Sequence, residues 1–401
     1  MKNILIVGGG AGGLMSANAF ARSLPQDIRK GEIKVTIIDP AEYHEFQPGY
    51  IGIAFKGSRP SEARRKIKSL LLPGIDFINA ACEKIDPDNH NVTISSGMKL
   101  SYDYLIVATG CYPDYSQISG LENSNMDYHS SAEKSAKIYR RISEIKGGNI
   151  LTGIAGLPYK CPPSPNETAF LLDEFFTKRG MRRDVNIKFI TPYMKAYPAE
   201  PINEVIDPLF RERGIDLVTG FTLDSVNTDK KTLVSLEGDE IKYDDLFLVP
   251  PNKPADFLKG SPFCDEDGWI RTDKKDLHID RYGNAFAIGD STNIPISKAG
   301  VEAHLQSVAV TRNIISEIRR DGQRYEFTGR TQCSMETGYE EATFVIGSYA
   351  KPVKKLYPSR GKYFEKKMME MMYWESLQGS MELLFKLNFG DDYIKSADLG
   401  L

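Results

Sequence analysis

Two groups of residues in this chain have types and spacing that can do chemistry: a glycine run near the N-terminus and a cysteine set between prolines and a carboxylate. Gly8, Gly10 and Gly13 stand in G-x-G-x-x-G spacing, with Gly12 between them, directly after the apolar run Ile4–Val7 and directly before a helical pattern. Such a loop turns tightly and lets a pyrophosphate approach backbone N–H groups at a helix N-terminus. Asp39 closes the next apolar run, where its carboxylate can accept from a ribose hydroxyl. The loop alone implies a dinucleotide without saying which one. Further on, Cys161-Pro162-Pro163 precedes a second helical pattern. A helix N-terminus favours a thiolate, and Glu167, one turn in, can accept a proton from a thiol. The plain alternatives are an inert buried thiol and a solvated first-turn carboxylate.

The elements that must carry these residues repeat one theme. Ile4–Val7, a helix over Leu14–Leu24 and a strand over Lys34–Ile38 make a βαβ unit. A weaker echo follows, with a strand near Ile150–Ile154, a helix from about Pro165 to Lys178, a strand at Val185–Thr191 and a helix from about Ile202 to Arg213. A single strand is expected over Phe77–Lys84, and Ala285–Ile288 makes one more buried strand before a helix from Lys298 to Ile318. The fold class is therefore α/β, with two Rossmann-like doubly wound domains plus a C-terminal amphipathic helical region. The expected division is 1–110 with 280–350, then 111–279, then 351–401.

Two strand ends separate the candidate dinucleotides. Tyr102–Val107 runs into Ala108-Thr109-Gly110, and Ala285–Ile288 runs into Gly289-Asp290. Together with the first loop they resemble the marks of the two-dinucleotide-domain flavoproteins. That resemblance implies FAD, with Gly8, Gly10, Gly12, Gly13, Asp39, Thr109, Gly110, Gly289 and Asp290 around it. The backbone near Cys82 is then expected beside the adenine. Tyr43-His44-Glu45-Phe46-Gln47-Pro48 is similar to that superfamily's stretch against the flavin ring, with Pro48 as the contact; a plain turn is the alternative. Lys298 matches a lysine near the flavin that can stabilise negative charge.

Members that take hydride from NAD(P)H carry a second glycine loop, and this chain does not. Gly153 and Gly156 have the wrong spacing, and Pro158, Pro162 and Pro163 remove N–H donors. Cys161-Pro162-Pro163 instead resembles the motif of the sulfide:quinone oxidoreductase and flavocytochrome c sulfide dehydrogenase family. The resemblance extends to Thr331-Gln332-Cys333-Ser334. It implies a Cys161–Cys333 redox disulfide beside the flavin, oxidation of hydrogen sulfide to sulfane sulfur, and a quinone as electron acceptor. Many members have a third cysteine after the Ala-Thr-Gly strand. Here that region, Asn125–Glu133, has none, and His129 is its imidazole candidate for catalysis. Cys111, after Ala-Thr-Gly, is a further redox candidate, and Cys264 reads as incidental. No metal site is expected.

Beyond about Lys351 the chain turns basic, with eight Lys or Arg against four Glu up to Leu387. Tyr363, Phe364, Met368, Met371, Met372 and Tyr373 form apolar helical stripes beside Lys362, Lys366 and Lys367, and Leu383, Leu384, Phe385 and Leu387 follow with Lys386. This has the character of an interfacial anchor on a membrane surface. A dimer interface, making a homo-oligomer, or a lid on the core is the alternative. Ile346, Tyr349, Phe364 and Tyr373 are the expected quinone contacts. At 401 residues, 41% hydrophobic and formal net charge −3, the chain supports several domains and gives no case for nucleic acid. No apolar run is long enough to span a bilayer, and Ile4–Val7 leads into glycines, not a cleavable signal, so a peripheral protein on the cytoplasmic face is expected. Two other readings stay open: a type II NADH:quinone dehydrogenase-like enzyme, and a non-catalytic flavin or persulfide sensor.

Overall fold

The structure is a computed structural model that describes residues 1–128, 130–380 and 394–396. Its first sheet has the strand order His278–Ile279, Tyr282–Ala287, Tyr104–Val107, Lys2–Val7, Ile33–Asp39, Ile75–Asn79. Every pairing is parallel except the edge hairpin His278–Ile279 with Tyr282–Ala287. Lys2–Val7 is central, with Ile4 opposite Val35 on one side and Tyr104 on the other. Its last four residues are buried on both faces, which is why they read as an unbroken apolar run. The glycine-loop helix Ala11–Ser23 and the long helix Gly300–Arg319 pack against each other on this sheet.

The second sheet is parallel, in the order Asp216–Val218, Val185–Ile190, Gly148–Ile154, Asp245–Val249. Helix Ser164–Lys178 makes the crossover that follows Gly148–Ile154. Its Phe170 and Phe176 are fully buried with Phe189 and Phe210. Two parallel sheets, each with its own core, are the doubly wound architecture that the alternating βα pattern predicts.

Several details depart from the sequence expectations. The stretch expected as one strand over Phe77–Lys84 is two: Ile75–Asn79 in the first sheet, and Cys82–Asp86 in a separate antiparallel three-stranded sheet. The chain changes sheet at Ala80, whose N–H bonds the Asp39 and Ile78 carbonyls. The hairpin Thr331–Gly338 with Glu341–Gly347, expected with the first domain, packs on helix Ser164–Lys178 and places Cys333, Met335 and Val345 in the second domain's core. The basic tail is also less free than its pattern implies. Trp374 and Leu377, on helix Tyr373–Leu377, are buried in the first domain's core with Phe20, Phe46 and Leu70. Lys366 is only 5% exposed, so it is no headgroup-facing lysine. Leu383, Leu384, Phe385, Lys386 and Leu387, like His129, lie outside the described residues.

Asn18, fully buried on the glycine-loop helix, fastens this tail. Its Nδ2 donates to the carbonyls of Leu70, at 2.9 Å, and Leu377, at 2.8 Å, while its Oδ1 accepts from Leu72 N–H at 2.9 Å. Asn18→Ala should cost about 1–3 kcal/mol for each buried group left unpaired. Urea denaturation measures that loss, and limited proteolysis should cut first near 373–380 in the variant.

Candidate active site

The glycine loop owes its sequence to close contacts. Gly8 has φ +111°, and a Cβ there would lie 2.3 Å from the Ala108 carbonyl oxygen. A Cβ on Gly13 would sit 1.9 Å from Gly8 O, so only glycine lets the helix start this near the strand. Gly10 is different. The nearest protein atom to a Cβ there is 3.9 Å away, so contact within the protein does not demand glycine, but backbone approach by a ligand does. Gly10 also puts no side chain on the helix N-terminus, leaving first-turn N–H groups for an anion. Asp39 accepts from the N–H groups of Gly9, at 2.6 Å, and Ala41, at 2.7 Å. Burial nonetheless raises its pKa.

These residues open onto a cavity of about 490 Å³ that runs between the two domains. Gly10, Gly12, Asp39, Pro48, Thr109, Gly110, Gly289 and Asp290 line it, and so do Cys161, Glu167, Cys333 and Tyr373. Gly8 and Gly13 shape the backbone behind it. The buried Thr109 Oγ1 has no hydrogen-bond partner among the described residues, which fits a polar ligand edge. The open N–H groups of the glycine loop, the Asp39 carboxylate and the unpartnered Thr109 hydroxyl, all at one cavity, together fit FAD.

Other expected site residues lie elsewhere. Cys82 packs in the antiparallel sheet and does not line the cavity. Lys298 precedes its helix and turns its ammonium onto the carbonyls of Asp290, at 2.8 Å, and Thr292, at 2.9 Å, over the Trp269 ring. Its backbone carbonyl accepts from Cys161 N–H at 2.7 Å. Ile346 and Tyr349 sit on and after the outer strand of the Cys333 hairpin, with the Tyr349 hydroxyl on the Lys274 carbonyl, and Phe364 is 65% exposed. None of these three lines the cavity.

The redox candidates converge. Cys161 and Cys333 come from different elements to one cavity, and each lies within range of the other's charge. Both are free thiols, so the expected disulfide is not formed in this structure. Burial, and next the charge of Glu167, pushes the Cys161 thiol up to about 12. The expected thiolate-favouring helix end is therefore outweighed by desolvation. Burial and then Glu302 raise Cys333 likewise. Glu167 is no solvated carboxylate: it is 1% exposed, accepts from Glu336 N–H at 2.7 Å, and burial lifts it to about 7 against the pull of Lys366. Cys111 lines the cavity with its Sγ 3.7 Å from Asp290 Oδ2, and burial raises its pKa.

Sequence reasoning missed three groups. His44 is buried and held neutral, its pKa lowered by desolvation to about 4. Its Nδ1 faces the Gly9 carbonyl, which can only accept, so Nδ1 carries the hydrogen and Nε2 accepts from the Tyr373 hydroxyl at 2.7 Å. The second group is an ion cluster in which Lys366 bonds Glu336, at 2.7 Å, and Glu370, at 2.6 Å, while Lys56 also pairs with Glu336. The third is Glu302, behind Cys333. The Lys366–Glu370 spacing is visible in sequence; the partners on other elements are not.

A family model described as "Pyridine nucleotide-disulphide oxidoreductase" matches residues 2–147. The chain is 29% identical to the mitochondrial sulfide:quinone oxidoreductase of Mus musculus, over 93% of this chain and 86% of that one. It is 25% identical to the sulfide-quinone reductase of Aquifex aeolicus, over 98% and 95%. The crystal structure of the Aquifex aeolicus sulfide:quinone oxidoreductase superposes with a TM-score of 0.87 at 23% identity, covering 99% of this chain and 98% of that one.

The ion cluster makes stability depend on pH in a stated direction. Despite desolvation, Lys366 and Lys56 hold Glu336 down at about 2, below the 4.5 of an exposed glutamate. Its contribution, ~3 kcal/mol, is present above pH 4.5 and is lost as pH falls through about 2. Glu167, raised to about 7, acts oppositely: its contribution is present below 4.5 and fades as pH rises through 7. Glu336→Gln should lower stability at neutral pH by about 3–5 kcal/mol and flatten the acid limb, as read by urea titration across pH.

Proposed function

The chain belongs to the sulfide:quinone oxidoreductase family and is an FAD-dependent oxidoreductase, and from that premise we propose that it oxidises hydrogen sulfide to sulfane sulfur and delivers two electrons to a quinone. The observation that carries this reading is the meeting of Cys161 and Cys333 at one cavity with the buried carboxyl of Glu167. In the oxidised enzyme the two sulfurs are joined. The sulfide sulfur attacks one of them, the S–S bond breaks, and its electron pair leaves with the other sulfur. Glu167, whose carboxyl titrates at about 7, accepts the sulfide proton. FAD, when bound, supplies two-electron acceptance from sulfur and release to quinone. Tyr373, Met369 and Met372 line the same cavity, which supports them as the wall against which the quinone ring packs. Because the Tyr373 proton is committed to His44, Tyr373 acts there as a wall and hydrogen-bond acceptor, not as an acid.

The NADH alternative has less support. Ser164, Pro165 and Asn166, which begin the second-domain helix, are buried, and the loop before it holds Pro158, Pro162 and Pro163. A second pyrophosphate would find neither open N–H groups nor room.

The described part of the tail supports peripheral attachment. Phe364, Met368 and Met371 are exposed at i, i+4, i+7 on helix Arg360–Met371, and no helix among the described residues is long and apolar enough to cross a membrane. Vesicle flotation with anionic lipid should recover the wild type, and Phe364→Glu with Met371→Glu should leave the protein in the soluble fraction.

Anaerobic mixing decides the reaction. Sulfide should bleach the flavin band and NADH should leave it; rapid bleaching by NADH alone would sink the proposal. Cys161→Ser and Cys333→Ser should each abolish sulfide-dependent quinone reduction, and Glu167→Gln should slow it by about 100-fold or more.

A further inference from the structure

Cys333 has a carboxyl of its own. Glu302, in the first turn of helix Gly300–Arg319, is 1% exposed. Its Oε1 accepts from the Cys333 thiol, with Sγ at 3.6 Å, and from the Thr331 hydroxyl. Its Oε2 is buried and has no hydrogen-bond partner among the described residues. A group that only accepted from Thr331 and Cys333 could be a glutamine, at far lower desolvation cost than a carboxylate with an unpartnered oxygen. Glu167, by contrast, has its Oε1 fixed by Glu336 N–H and acts on Cys161 through its charge. The two sulfurs are thus served by carboxyls on two different helices.

We propose that Glu302 is a second catalytic residue, which takes the proton from the Cys333 thiol whenever that sulfur must act as a nucleophile. This rests on the redox-disulfide reading above. In the step itself the S–H bond breaks, its electron pair stays on Cys333 Sγ, and the proton forms an O–H bond on the Glu302 carboxylate. No oxidation state changes; the two-electron closure of the S–S bond follows separately. Burial lifts the carboxyl to about 7, opposed by the Thr331 hydroxyl and furthered by Asp290, so it can both take and release a proton near neutrality. Thr331 and Cys333 face Glu302 from the hairpin, Asp290 from the Gly-Asp turn, and Cys161 and Tyr197 from the second domain.

The test uses FAD-loaded enzyme with its cysteines reduced by a dithiol. Infrared titration in a Glu167→Gln background, which removes the other carboxyl that titrates at about 7, should show a protonated carboxyl band with a midpoint near 7 that disappears when Glu302→Gln is added and moves when Cys333→Ala is added. Sulfide-dependent quinone reduction should fall about 100-fold in Glu302→Gln and recover in part in Glu302→Asp, with the flavin spectrum unchanged. A band that survives Glu302→Gln, or that ignores Cys333→Ala, overturns the assignment. So does wild-type turnover in Glu302→Gln. A wild type that fails to turn over sulfide would defeat the functional reading instead, and the infrared result would still decide Glu302.

Discussion

Glu336 and Lys366 make a buried charge pair on which much of this structure depends. Their side chains are 2% and 6% exposed, and charges so placed are tolerable only when paired and hydrogen-bonded. The pair brings four elements to one point. Glu336 lies on the Cys333 hairpin, Lys366 on the tail helix, and Lys56 ends the helix Tyr50–Lys56 of the first domain. The N–H of Glu336 then holds Glu167, 169 residues away in sequence, on the Cys161 helix. The tail helix cannot leave without taking Lys366 from Glu336 and leaving it to Lys56 alone, and the hairpin cannot shift without moving both the Cys333 sulfur and the backbone N–H that holds the Glu167 carboxyl.

That arrangement adds a polar tie to the apolar packing of Tyr50–Phe55 against the second domain. The glycine loop and its sheet supply a dinucleotide cradle, and the second sheet supplies the helix after Cys161. The cavity between them receives Cys333 only because the hairpin crosses from one to the other. Burial at the cavity raises the thiols of Cys111, Cys161 and Cys333 and the carboxyls of Asp39, Glu167 and Asp290. Each of the two thiols that meet there has a buried glutamate beside it, Glu167 for Cys161 and Glu302 for Cys333.

The tail shows how one pattern can serve two ends. Its apolar and basic stripes read as an interfacial helix, and Phe364, Met368 and Met371 do face outward. Yet Trp374 and Leu377 fill the first domain's core, and Tyr373 holds His44 beside the glycine loop. The stretch is thus a closing element of the dinucleotide domain as well as a surface. Periodicity identifies an apolar face but not what covers it.

By itself the sequence determined what local physics controls. Gly8 and Gly13 announce a backbone too tight for any side chain, unbroken apolar runs announce strands buried on both faces, and Cys161 announces a thiol just ahead of a helix. Cys333 was legible only through resemblance to known relatives, because no spacing rule links it to Cys161. What only the tertiary structure decided is the environment of each group: that Glu167 is buried, that Lys366 faces inward, that Lys298 turns onto carbonyls, and that Glu302 stands behind Cys333. These depend on contacts between residues far apart in the chain. A desolvated charge takes its properties from neighbours that folding supplies, and the order of residues does not name them.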